Sequence, residues 1–138
     1  MKIKKFTLAA GLLFLLAACA SDPYEASDVV VQPTPSFQTI TASEARQMMA
    51  EADNYVLLDV RTEAEFREKR ITGAILIPYN EIRERAEAEL PDKNAVILVY
   101  CRSGRRSALA AATLAALGFV NVYDFGGIID WPYEYIGD

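Results

Sequence analysis

The segment Cys101-Arg102-Ser103-Gly104-Arg105-Arg106-Ser107 gathers a thiol, a glycine, three guanidinium groups and two hydroxyls in consecutive positions. These are the parts of a cradle for a thiolate nucleophile. A sulfur at a strand-to-helix junction meets the free N–H groups of the helix start, which favour negative charge. Gly104 opens backbone conformations closed to other residues, so the loop can curl with its amides inward. Arg102, Arg105 and Arg106 add positive charge that favours both a thiolate and an incoming anion. Together these features place the Cys101 pKa below the ordinary thiol range. The plainer alternative is a solvated arginine cluster around a structural cysteine. It is disfavoured because arginine at a helix N-terminus opposes the macrodipole unless an anion is bound there.

The rest of the composition narrows the chemistry. Among 138 residues there are two cysteines and no histidine. A Ser-His-Asp triad, a Cys-His dyad and a His-ligated zinc site are therefore excluded. The length suits one domain with a proper core. A net charge of -5 argues against a nucleic-acid partner.

The N-terminal stretch is set apart from that domain. Lys2, Lys4 and Lys5 precede an apolar run over residues 8–18, too short to span a bilayer permanently, which reads as an export signal. It ends in Leu16-Ala17-Ala18-Cys19, similar to the lipobox of bacterial lipoproteins, whose cysteine is lipidated and becomes the new N-terminus. On this reading residues 1–18 are a lipoprotein signal peptide. Their removal takes three lysines from fourteen basic residues, leaving nineteen acids and a net charge of -8. Lipidation of Cys19 would leave Cys101 as the one thiol, unable to form an intrachain disulfide. Residues 19–36 are rich in Ser, Asp and Pro and read as a lipidated cysteine followed by a flexible tether. Val29-Val30-Val31 is the alternative there, a short edge strand. Multiple acyl chains would hold the protein stably on the periplasmic face of a membrane. Ala20 after the cysteine, with no Asp there, favours the outer over the inner membrane by resemblance to enterobacterial sorting rules.

From residue 37 the pattern becomes regular. Phe37-Gln38-Thr39-Ile40 reads as a strand. Thr41-Ala42-Ser43-Glu44 is a capping box opening a helix to about residue 52. Residues 55–60 form a compact apolar strand, and Thr62-Glu63-Ala64-Glu65 is a second capping box. Residues 74–77 read as a strand stopped by Pro78, and Asn80 as the cap of a helix running to about Leu90. Residues 95–100 are the most apolar strand and belong at the centre of a sheet. An alanine-rich helix then runs to Gly118, its C-terminal glycine. Residues 120–125 form a last strand, after which Gly126-Gly127 turns the chain into a short helix near Trp131. Strands alternating with helices imply a parallel sheet covered on both faces. Ligands bind such sheets at the carboxyl ends of the strands, where Cys101 falls. Phe119, Tyr123, Phe125 and Trp131 are expected to pack the core, and Tyr133 and Tyr135 to cover the sheet edge.

Residues 37–138 resemble the rhodanese-like family. The loop Cys101–Ser107 matches that family's active-site pattern of Cys, Gly fourth, then Arg and Ser at positions six and seven. LLDVRTEAEF, with Asp59 and Arg61, looks like its first signature, ITGAILIP like its second, and GFVNVYDFGGIIDW like the segment that closes the domain. The resemblance implies an α/β fold, one rhodanese-like domain with a central parallel sheet of about five strands and helices on both faces. It implies a sulfurtransferase working by double displacement without cofactor or metal. Cys101 would take the outer sulfur of thiosulfate or another small anionic donor as a persulfide, then pass it to cyanide or a thiol. Backbone amides of the Arg102–Ser107 loop would stabilise the charge, with Arg102, Ser103, Gly104, Arg105, Arg106 and Ser107 lining the substrate. Arg61 would contact the substrate anion, and Asp59 would be structural, pairing with a nearby arginine or capping backbone.

Two positions depart from the family pattern. Lys69-Arg70 stands where Gly-His is frequent, in what reads as a turn outside the catalytic loop. Ser103 stands where some thiosulfate-specific members are basic, a charge that Arg105 could replace. A Cys-x5-Arg phosphatase is a rival, but four residues separate Cys101 from Arg106 and Tyr100 replaces the usual histidine. The other alternative is a non-catalytic rhodanese-like module for binding or sulfur delivery.

Overall fold

The computed structural model describes residues 34–137; the expected signal peptide, the expected lipidation site Cys19 and the expected tether up to residue 33 lie outside the described residues. Five strands form a parallel sheet in the order β1-β6-β5-β2-β4. They are β1 (Gln38–Thr39), β2 (Tyr55–Asp59), β4 (Ile75–Leu76), β5 (Val96–Cys101) and β6 (Asn121–Gly127). The most apolar segment, β5, takes the middle position, and its last residue is Cys101 itself.

Alternation along the strands sorts the core into two layers. Leu58, Val60, Ile97, Val99, Cys101 and Val122 face one side, under helices α3 (Ile82–Glu89) and α4 (Arg105–Ala116). Leu57, Leu98, Tyr100 and Phe125 face the other. There they pack with Ala45 of helix α1 (Ala42–Glu51), Ile71, Ile128 and Trp131. The sheet is thus covered on both faces, and the strand that ends in Cys101 is shielded above and below.

Local signals explain most element boundaries. Thr41 and Glu44 form a complete capping box at α1, and Thr62 and Glu65 another at α2 (Glu63–Glu68). Helix α4 ends in a Schellman motif: Gly118, with φ of +91°, donates to the Ala115 carbonyl and Phe119 N–H to that of Leu114. The expected cap at Asn80 is corrected. Glu81 is the N-cap of α3, without a side-chain hydrogen bond, because Pro78 and the following turn carry the chain one residue further before it coils.

Lys69-Arg70 is corrected as well, from a turn to a strand. β3 (Lys69–Ile71) pairs antiparallel with β7 (Tyr135–Gly137) as a separate two-stranded ribbon. Tyr135 therefore belongs to this ribbon and does not cover an edge of the main sheet. Gly137 fits because an added Cβ would overlap the Glu68 carbonyl. Tyr133 stacks edge-on against Trp131, with ring centroids 4.9 Å apart.

Candidate active site

An irregularity in the sheet prepares the site. Val99 pairs with Asp124, but Cys101 pairs with Gly127, so β6 carries one residue more than β5 between these points. The bulge centres on Gly126, with φ of +88°. It brings Gly127 so close to the loop after Cys101 that a Cβ there would overlap the Arg102 carbonyl oxygen and lie 2.6 Å from Ser103 Cα. The double glycine is therefore a backing plate for the Cys101 loop.

The loop itself closes around sulfur. Gly104 adopts a φ of +100° as N-cap of α4 and supplies no side chain to cap the helix, so the first-turn amides remain available. Its N–H donates to Cys101 Sγ at 3.0 Å. Ser107, on the first turn, is fully buried, and its hydroxyl lies 3.6 Å from Sγ. That hydroxyl also reaches the carbonyls of Gly104 at 3.0 Å and Gly126 at 3.3 Å. Burial alone would raise the Cys101 pKa. The Ser107 hydroxyl and the amides of Ser107, Gly104 and Ser103 outweigh it, and the net direction is downward. A thiolate is thus stabilised by hydrogen bonds from the helix start, with no base beside it.

The charged side chains divide into those tied down and those left free. Arg61 is buried and locked to Asp59, Nη2 to Oδ2 at 2.6 Å and Nε to Oδ1 at 3.0 Å, and it also donates to the Lys69 carbonyl. Burial would lower its pKa, but the Asp59 carboxylate more than compensates and raises it. Tyr100 supports this pair from beneath, its ring 5.7 Å from the guanidinium and its hydroxyl accepting from Ile71 N–H. Arg106 is bound at two points to Glu65, both at 2.8 Å. Arg102, Ser103 and Arg105 are exposed around the loop. Cys101, Ser103, Gly104 and Ser107 come together at the sulfur, whereas Arg61 and Arg106 are engaged by carboxylates.

A cavity of about 240 Å³ lies beside the loop, lined by Arg61, Glu65, Glu68, Lys69, Arg102 and two isoleucines. The sequence signals for Glu65 and Lys69 were those of a helix cap and a turn; their place at the site depends on contacts between segments. Among the described residues no group of three His, Cys, Asp or Glu is arranged to hold a metal ion.

A parallel α/β sheet whose central strand ends in an amide-cradled cysteine is a domain built around a reactive thiol. Residues 41–132 match the rhodanese-like domain, and the chain belongs to the rhodanese-like family. It is 38% identical over 73 residues to the thiosulfate sulfurtransferase PspE of Escherichia coli, covering 53% of this chain and 70% of that protein. A sulfurtransferase of Allochromatium vinosum is 37% identical over 93 residues, 67% of this chain and 85% of the other. Among solved structures, a rhodanese with anions from Escherichia coli aligns with a TM-score of 0.58 at 33% identity, over 62% of this chain and all of that one.

Proposed function

We propose that the protein is a lipid-anchored sulfurtransferase of the cell envelope that carries sulfane sulfur as a Cys101 persulfide. Thiosulfate or a persulfide is the donor, and cyanide or a thiol is the acceptor. The observation that carries the reading is the 3.0 Å hydrogen bond from Gly104 N–H to Cys101 Sγ, at the end of the central strand. The Cys101 thiolate attacks the outer sulfur of thiosulfate. The new S–S bond forms as the old one breaks, and sulfite leaves with the electron pair. The persulfide anion then sits among the same amides that held the thiolate, a preorganised arrangement that needs no rearrangement during the transfer. Attack of cyanide on the outer sulfur yields thiocyanate and returns the electron pair to Cys101.

The likeness to PspE, whose name specifies thiosulfate, supports thiosulfate as a donor. The Cys19 lipobox supports the anchor, with the outer membrane as the site of attachment. Mass spectrometry after incubation with thiosulfate should show one added sulfur on Cys101. Thiocyanate formation should vanish in Cys101→Ser. Undiminished turnover in that variant would overturn the mechanism. A wild type that turns over neither thiosulfate nor persulfides would favour a binding module.

A further inference from the structure

The cavity beside the Cys101 loop carries charge of both signs. Two of its charged groups are neutralised from within: Arg61 by Asp59 and Glu65 by Arg106. Among the described residues, Glu68, Lys69 and Arg102 make no ion pair. The Lys69 ammonium rests 3.6 Å from the centre of the Tyr135 ring, a contact that holds its position and leaves its charge uncompensated. Two cationic residues and one acidic residue without ion-pair partners therefore line the cavity, with Ile128 and Ile129 beside them.

Thiosulfate does not complement that set. It carries two negative charges and no positive one, so it can satisfy Lys69 and Arg102 but leaves Glu68 facing a like charge. An α-amino thiol has the missing group. Its carboxylate can pair with Lys69 or Arg102 and its ammonium with Glu68, in a cavity that Arg102, the residue after Cys101, helps to line. We propose that this cavity receives a small α-amino thiol as acceptor, and that Glu68 is the specificity-determining residue because it binds the ammonium group.

The proposal rests on Cys101 as a persulfide carrier. In the transfer step the acceptor thiolate attacks the outer sulfur of the Cys101 persulfide anion. The S–S bond of the acceptor persulfide forms, the bond to Sγ breaks, and the electron pair returns to Sγ as thiolate. Arg102 and Lys69 offset the negative charge that both partners bring.

The test loads the full-length protein with sulfur and measures single-turnover transfer to cysteine and to 3-mercaptopropionate, the same thiol without its amino group. Both acceptors are compared on wild type and on Glu68→Gln. The two thiols differ in intrinsic reactivity, but that difference is common to both proteins and cancels in the cycle. The wild-type preference for cysteine should fall by about fivefold in Glu68→Gln, the upper range for an exposed charge pair. The thiosulfate half-reaction should become faster. An unchanged cysteine preference would overturn the assignment. A wild type that loads sulfur from neither thiosulfate nor a persulfide removes the carrier reading and this proposal with it, an outcome visible before any acceptor is added. Glu68 is exposed and its side chain is unpaired among the described residues, and circular dichroism of Glu68→Gln should match wild type.

Discussion

The guanidinium of Arg106 and the carboxylate of Glu65 meet at two points, Nη1 on Oε2 and Nη2 on Oε1, each at 2.8 Å. The pair ties the first turn of α2 to the first turn of α4, the helix whose start holds the Cys101 sulfur. Glu65 is itself fixed by Thr62, whose N–H and hydroxyl donate to Oε2 at 3.0 and 2.9 Å. One carboxylate thus serves as a local helix cap and as a clamp between helices.

This clamp should make stability acid-sensitive. Arg106, with Thr62 in support, lowers the Glu65 pKa from 4.5 to about 2. A depressed acid contributes its stability above its unfolded pKa and loses it as pH falls through the folded one. The contribution should be full above 4.5 and decline toward 2. With solvent screening at this partly open position it amounts to about 1–2 kcal/mol. Urea midpoints measured across that interval should fall more steeply for wild type than for Glu65→Gln. Parallel curves would show that the pair contributes nothing to folding.

Ser107→Ala should act on the nucleophile's ionisation. Its hydroxyl is the largest of the hydrogen-bonding influences that lower the Cys101 pKa against burial. Without it the thiolate loses a donor, and the acidic limb of the rate profile should move to higher pH. At neutral pH the sulfur-loading rate should drop about tenfold, the value of one hydrogen bond to a charged group. The loss should shrink in alkaline buffer, where the thiol ionises anyway. A uniform loss at all pH values would instead point to misplacement of the loop.

The fold was legible because its strongest signals are local. The apolar run before Cys101 became the central strand, and both Thr-x-x-Glu boxes became helix starts. What escaped the sequence reading joins distant segments. β3 and β7 share no apolar period, and their pairing is visible only once Gly137 packs on Glu68 and Lys69. Glu65 looked complete as a capping residue, and nothing in its spacing announced Arg106. Asp59 does both things its place in the sequence allows, pairing with the Arg61 guanidinium and accepting from the Arg61 backbone N–H. The bulge at Gly126 was not foreseen, because a glycine pair after a strand reads equally well as a turn.

Gly127→Ala should damage the site more than its single methyl suggests. The added Cβ would collide with the Arg102 carbonyl and lie 2.6 Å from Ser103 Cα, both backbone atoms that no rotamer change can clear. The loop must move, and with it the amides around Cys101. We expect a stability loss of about 1–3 kcal/mol, typical of overpacking, and a larger proportional fall in sulfur loading. Near-normal activity would show that the cradle tolerates displacement.

Cys19→Ser should release the protein from membranes. On the lipoprotein reading, acyl chains on Cys19 provide the attachment, and the variant lacks the thiol that accepts them. Fractionation of cells expressing each form should find wild type in the membrane pellet and the variant in the soluble fraction. A variant that still sediments with membranes would contradict lipidation.

Asp59 and Arg61 should be strongly coupled in stability. The Asp59 side chain is 0% exposed and that of Arg61 5%. Asp59 accepts three hydrogen bonds from the guanidinium and one from the Arg61 amide. Asp59→Asn leaves the guanidinium buried without its counterion, at a cost of about 3–5 kcal/mol. Arg61→Met removes the cation instead and strands the carboxylate, with a loss of similar size. Removing both partners together eliminates the uncompensated charge, so the double variant should be more stable than either single one. Chemical denaturation of the four proteins measures this directly. If the two losses simply add, the pair is not an interacting unit and Arg61 is held by its other contacts, the Lys69 carbonyl and the Tyr100 ring.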